Sequence, residues 1–272
     1  MESLLKKERI LQQKSDHVFE RWPQDGLFSE INTSKVDLGK GLTGVLALPE
    51  EKGPRPAVIV IMEAFGLNDF VVDVLRLFAK EGYVALAPDI YHGAIYDYEN
   101  FGPAIEHLST LKDHEVVSEI GLSIDYLTHR KEVDPERLAV SGFCMGGRLS
   151  FLALATYSEK LKAAVAFYPG SLAIEGKDRL GREGVLSKGT LLKSPVLFLY
   201  GADDPSIPPS EHAKIVETLG NWKKEYVMAA YPGAGHGFFN GRRNSYHLES
   251  AKKAWDLART FLHSCFSGTP SH

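Results

Sequence analysis

Apolar residues in this chain follow two alternating rhythms. Short runs are apolar throughout, such as Ala57-Val58-Ile59-Val60-Ile61-Met62. Between them lie longer stretches in which apolar positions return every three or four residues. The first pattern predicts central strands covered on both faces, the second amphipathic helices. Strands are predicted at 57–62, 83–88, 137–141, 163–168, 195–200 and 225–231. Residues 68–80 place Phe70, Val71, Val74, Leu75 and Phe78 on one helix face, with Gly82 where a C-cap glycine belongs. Val116, Val117, Ile120, Ile124 and Leu127 mark a further helix, and 149–157 another. The last carries Ala254, Leu257, Ala258, Phe261, Leu262 and Cys265 on one stripe, so Cys265 reads as core.

Ahead of the first central strand, β-prone runs at 34–38 and 43–48 surround Gly39 and Gly41 and predict an antiparallel edge hairpin. Residues 89–102, rich in Tyr, Gly and Asn, read as a long loop over the sheet's upper edge. Strand and helix alternate throughout. The expected fold is α/β, a mostly parallel, doubly wound sheet with helices on both faces and no large separate cap domain.

Composition narrows the class without naming a chemistry. The 272 residues are 44% hydrophobic and 24% charged, an ordinary globular mixture. A net charge of −4 gives no reason to expect nucleic acid or a membrane surface as partner. Cys144 and Cys265 are too few for a disulfide scaffold. Residues 1–22 are charged throughout, without the apolar core of a signal peptide, and read as a polar helix or loose arm. No apolar run approaches membrane-spanning length. These features point to a reducing cytoplasm, where the sequon Asn32-Thr33-Ser34 is a chance match. The expected organisation is an N-terminal extension at 1–28, one folded domain at 29–267 and a disordered tail to 272. The oligomeric state stays open, with a monomer favoured. No metal or cofactor is expected, because no helix pairs His and Glu ligands at i, i+4 and no C-x-x-C occurs.

The chemistry centres on Ala139-Val140-Ser141-Gly142-Phe143-Cys144-Met145-Gly146-Gly147-Arg148. An apolar strand runs into Gly-x-Cys-x-Gly-Gly and straight on into a helix, the layout of a nucleophile elbow with sulfur in place of the hydroxyl. The competing reading is a small buried core cysteine. Polar residues just after other strands weigh against it, since active sites of such sheets lie beyond the strands' C-terminal ends. One strand is followed by Gly201-Ala202-Asp203-Asp204, where either aspartate could orient an imidazole or simply cap a turn. Another is followed by Gly235-His236-Gly237, a histidine with no packing reason to stand there. Other histidines, such as His107, His114 and His129, fall on polar helix faces and read as surface residues. Nucleophile, acid, histidine is the chain order of α/β-hydrolase triads. Glu63-Ala64 follows the first central strand, and the amides of Ala64 and Met145 stand where an oxyanion hole would need them. Glu63 is either part of the site or an ordinary surface carboxylate.

These residues resemble the dienelactone hydrolase family of α/β-hydrolases, over roughly residues 30–266. The likeness rests on Glu63-Ala64-Phe65-Gly66, Ala87-Pro88-Asp89-Ile90-Tyr91, Gly142-Phe143-Cys144-Met145-Gly146-Gly147, Gly201-Ala202-Asp203-Asp204 with Pro208, and Gly235-His236-Gly237-Phe238. It implies a Cys-His-Asp triad of Cys144, His236 and Asp204 that opens a small lactone or ester through an acyl-cysteine. Spacing from Gly201 and to Pro208 selects Asp204 over Asp203 within the family pattern. The resemblance further implies that Glu63 competes with His236 for the thiol and keeps the resting cysteine largely protonated. Two departures concern the substrate. His92-Gly93-Ala94 follows Tyr91 without the family's first arginine, and Asn240 takes the place of the second, just before Arg242 and Arg243. Tyr91, Phe143, Arg242 and Arg243 are the candidate substrate contacts. Two other readings stand beside this one: a general carboxylesterase or thioesterase, and a non-catalytic ligand-binding or redox-sensing protein on the same fold.

Overall fold

A computed structural model describes residues 30–267. The expected N-terminal extension and the tail from 268 lie outside the described residues; Ser267 itself closes the last helix.

The strands are β1 (Thr33–Gly39), β2 (Leu42–Ala47), β3 (Arg55–Ile61), β4 (Val84–Pro88), β5 (Val133–Phe143), β6 (Leu161–Phe167), β7 (Val196–Gly201) and β8 (Tyr226–Tyr231). They form one sheet in the order β1-β2-β4-β3-β5-β6-β7-β8. β1 pairs with β2, and β2 with β4, antiparallel; every other pairing is parallel. The hairpin is therefore an edge ornament on a parallel sheet. Ala57 to Ile61 of β3 are wholly buried, as an all-apolar strand beneath two helix layers must be.

The helices are α1 (Asp69–Lys80), α2 (Phe101–Thr110), α3 (Asp113–Thr128), α4 (Met145–Thr156), α5 (Pro209–Asn221) and α6 (Leu248–Ser267), with a 3₁₀ turn at Leu186–Leu191. Phe78 of α1 meets Trp255 of α6 edge-on at 4.9 Å, which joins these two on one face. The helix α4 packs on β5, β6 and α3, covering the other. The start of α1 is fixed by Asn68, whose side chain accepts from the Val71 amide. Gly82 follows its end with φ +86°, the left-handed conformation that favours glycine.

Two helices escape the periodic reading. Residues 89–102 do begin as a loop, but α2 starts at Phe101, and it buries only Ala104 and Leu108. The helix α5 opens on Pro209 and turns inward only Glu211, Ile215 and Leu219. His107 also departs from its surface reading. Its ring stacks on Tyr91 at 4.0 Å and its Nδ1 pairs with the Tyr96 hydroxyl at 2.8 Å, because α2 folds back over the loop.

Candidate active site

β5 passes into α4 through one residue, Cys144, held at φ 54° and ψ −114°. That is a strained conformation for a residue with a side chain. The turn survives because its neighbours let strand and helix close up. A Cβ on Gly142 would collide with the Gly146 carbonyl. The Cys144 amide donates to the Phe167 carbonyl at 2.9 Å, tying the turn to β6. The sulfur thus stands at the N-terminus of α4, where the first amides, Met145 among them, have no helical acceptor. The helix dipole favours an anion at this place.

A second close approach assembles its partners. Gly201 ends β7, and a Cβ there would strike the Ala234 carbonyl on the loop after β8. The two post-strand loops can therefore cross. Asp204 Oδ2 lies 2.7 Å from His236 Nδ1. Its other oxygen accepts from the Ser206 amide at 2.8 Å and the Ser206 hydroxyl at 2.6 Å. Burial would raise the Asp204 carboxyl, but these bonds hold it below its ordinary value. Asp203, by contrast, is exposed.

His236 and Cys144 line one cavity, and each acts electrostatically on the other. Burial works against ionisation of both groups, yet each stabilises the other's charge. The thiol falls below its usual range, against its burial and the opposing charge of Glu63, chiefly through the neighbouring His236 and less strongly through Arg243. The imidazole, beside Cys144 and Asp204, is pushed up to about 10. The chemistry on offer is a thiolate–imidazolium pair.

Glu63 is only 2% exposed, so it is no surface carboxylate. Tyr168 donates its hydroxyl to Oε1 at 2.9 Å and Asn240 its amide to Oε2 at 3.0 Å. Arg243 stands 3.8 Å away, its guanidinium over the rings of Phe65 and Phe101. Asn240 thus meets the carboxylate rather than a substrate.

Three of the candidate substrate contacts lie elsewhere. Phe143 is fully buried in a stack with Phe167 at 4.6 Å and Phe239 at 5.5 Å, because strand alternation turns it into the core beside the outward-facing cysteine. Arg242 is bound by Asp73 of α1 at 2.7 Å, a buried carboxylate that needs a cation. Tyr91 is 2% exposed behind the wall, and among the described residues its hydroxyl has no hydrogen-bond partner.

Cys144, His236, Ala64, Met145, Ser206 and Arg243 all line one cavity of about 740 Å³. One wall is α2, through Phe101, Ile105 and Leu108. The roof is the loop from Gly170 to Arg182, and two buried charged side chains pin it. Arg148 of α4 donates to the Ser171 carbonyl, to the Glu183 carbonyl at 2.9 Å and to Asp113 at 2.6 Å. Glu211 of α5 accepts from the amides of Leu172 at 2.6 Å and Ala173 at 3.1 Å.

Sequence reasoning missed Tyr168, Ser206, Arg148 and Glu211. Tyr168 directly follows β6 and was open to the same post-strand test that found His236. Ser206 two places after Asp204 is a common turn partner for an aspartate. Arg148 and Glu211 carry no comparable signal, since such residues are normally exposed.

Comparison with known proteins gives a concordant result. The sequence model of the dienelactone hydrolase family matches residues 42–266. A Yersinia pestis protein, whose name provisionally assigns it to carboxymethylenebutenolidase, is 37% identical over 224 residues, 80% of this chain and 81% of that one. A crystal structure from Klebsiella pneumoniae subsp. pneumoniae MGH 78578, described provisionally as a dienelactone hydrolase, superposes with a TM-score of 0.79 at 31% identity, covering 86% of this chain and 98% of its own. A Pyrococcus horikoshii acylaminoacyl peptidase shares the fold alone, at 17% identity and a TM-score of 0.67, over 89% of this chain and 42% of that one. On the family match and these identities, the chain has the α/β-hydrolase fold and belongs to the dienelactone hydrolase family, hydrolases acting on ester or lactone bonds.

Proposed function

We propose that residues 29–267 form a cysteine hydrolase that cleaves a small ester or lactone through an acyl-enzyme. One observation carries this reading: Asp204 holds His236 at 2.7 Å, and His236 lines the same cavity as Cys144, whose sulfur stands at a helix N-terminus. The Cys144 thiolate attacks the carbonyl carbon, and the π electrons move onto oxygen. The amides of Ala64 and Met145 receive that oxyanion. As the tetrahedral intermediate collapses, the C–O bond breaks and the leaving alkoxide takes the proton from the His236 imidazolium. Neutral His236 then removes a proton from water, whose oxygen attacks the acyl carbon. The C–S bond breaks, the acid departs and the thiolate–imidazolium pair is restored.

Asp204 fixes the imidazole tautomer and stabilises its charge. Arg243 is the one candidate substrate contact among the four that lines the cavity, and Glu63 is buried 3.8 Å behind it. The unpaired thiols of Cys144 and Cys265 suit a reducing compartment such as the cytoplasm.

Intact-mass spectrometry after mixing with p-nitrophenyl acetate tests this. A transient adduct of one acetyl group on Cys144, weakened turnover in Cys144→Ser and none in Cys144→Ala are expected. Full activity in the alanine variant would overturn the mechanism, and an unacylated thiol without turnover would leave the non-catalytic reading.

A further inference from the structure

The cavity is larger and more lopsided than opening a compact lactone requires. At about 740 Å³ it falls among volumes that take a drug-sized ligand. Its two ends differ in chemistry. Toward α5 the lining is polar, with Ser206, Ser210 and Lys214. Toward α2 it is made by Phe65, Phe101, Ile105 and Leu108, with Met145 beside Leu108 around a small adjoining void. Neither arginine at that end carries an unanswered charge: Arg243 faces Glu63 at 3.8 Å and two aromatic rings, and Arg182, which lines both the cavity and the adjoining void, pairs with Asp178 at 2.8 Å.

The reaction sets which part of a substrate enters which end. The leaving oxygen must reach the proton on His236 Nε2, since Asp204 holds Nδ1, and His236 follows β8 whereas α2 follows β4, on opposite sides of β5, the strand that leads into Cys144. The acyl substituent then extends the other way, past Met145 toward α2. We infer that the site takes esters whose acyl group carries an extended apolar arm, bound along Phe101, Ile105 and Leu108. This rests on the cysteine-hydrolase reading and names its substrate class. Phe101 is 46% exposed despite its size, which fits a wall that is covered only when the arm is in place.

A series of p-nitrophenyl esters with one leaving group and a growing acyl chain reads the arm alone. With Cys144→Ala rates subtracted, kcat/KM should rise from acetate through butyrate to hexanoate by roughly two- to four-fold per methylene, the gain expected of partly to fully buried CH₂ groups. Ile105→Asn should cut the hexanoate-to-acetate ratio at least five-fold. Ile105→Trp, which fills the groove, should move the optimum back toward acetate. A flat or falling series in the wild type, or an unchanged ratio in both variants, overturns the assignment while acetate turnover leaves the hydrolase reading standing. No Cys144-dependent release from any ester would instead sink that reading itself.

Discussion

The side-chain amide of Asn240 donates to Glu63 Oε2 at 3.0 Å, joining residues 177 positions apart. With Tyr168 on the other oxygen, both acceptors of the carboxylate are engaged. The resemblance implies a glutamate that competes for the thiol; the hydrogen bonds of Glu63 in this structure go to Tyr168 and Asn240. Glu63 acts on the sulfur through its charge, which opposes thiolate formation. Glu63→Gln keeps a group able to pair with Tyr168 and removes that charge. Alkylation of Cys144 by iodoacetamide should then persist to lower pH than in the wild type. A profile unmoved, or moved upward, would show that the carboxylate does not oppose the anion.

The ion pair also fixes a pH window. The thiol is lowered, against its burial, by the neighbouring His236, while the imidazole is raised to about 10. Cys144 should alkylate faster at neutral pH than an ordinary thiol. Cys265, pushed up to about 11 by burial, is the slow internal control. His236→Ala should raise Cys144 above the ordinary thiol range, since burial and the Glu63 charge then oppose the thiolate with only Arg243 against them. The stability consequence has a definite sign. His236 has a folded value above its unfolded one of about 6.5, so its contribution is complete below that pH and disappears as pH rises through about 10. The gap in melting temperature between wild type and His236→Asn should narrow as pH rises from 8 to 10. A constant gap would refute the pair.

The cavity roof is held by two buried charges as well as by the apolar packing of Leu172 and Ala173. Glu211→Ala removes the acceptor of the Leu172 and Ala173 amides, each costing roughly 1–3 kcal/mol if left unpaired. Arg148→Met fills similar space but leaves the carbonyls of Ser171 and Glu183 without their donor. Both should lower the urea midpoint, and both should raise KM more than they lower kcat, since neither touches the reacting atoms. An unchanged KM in both would mean the roof is held by other contacts.

What could be read in advance follows from which physical signals are local. The parallel strands were legible because β3 and β6 are apolar on both faces, and the edge hairpin because Gly39 and Gly41 punctuate its alternation. Cys144, Asp204 and His236 were found because each directly follows a strand end, where the fold itself gathers side chains. The helix α2 was not, since only Ala104 and Leu108 are buried along it and no stripe results. Phe143 and Arg242 were misplaced for a different reason. Proximity in sequence to Cys144 and His236 does not tell which way a side chain turns, and Asp73, which claims Arg242, lies 169 positions away.

Ser206 and Asp204 make a graded test of how the imidazole is held. Asp204 contributes the 2.7 Å bond to Nδ1 and a buried negative charge. Asp204→Asn keeps the shape but removes the charge and can present N–H to the ring, favouring the wrong tautomer. Turnover should fall on the order of 10²- to 10⁴-fold. Ser206 donates twice to Asp204 Oδ1, at 2.8 Å from its amide and 2.6 Å from its hydroxyl. Ser206→Ala deletes only the second bond. That bond helps hold the Asp204 carboxyl low, so its loss raises the pH at which the aspartate protonates. The variant should lose activity only several-fold at neutral pH, with the acid limb of kcat/KM shifted upward. If Ser206→Ala matched Asp204→Asn at neutral pH, the serine would be acting on the imidazole or the substrate directly. If its acid limb did not move, the hydroxyl would have no part in keeping Asp204 ionised.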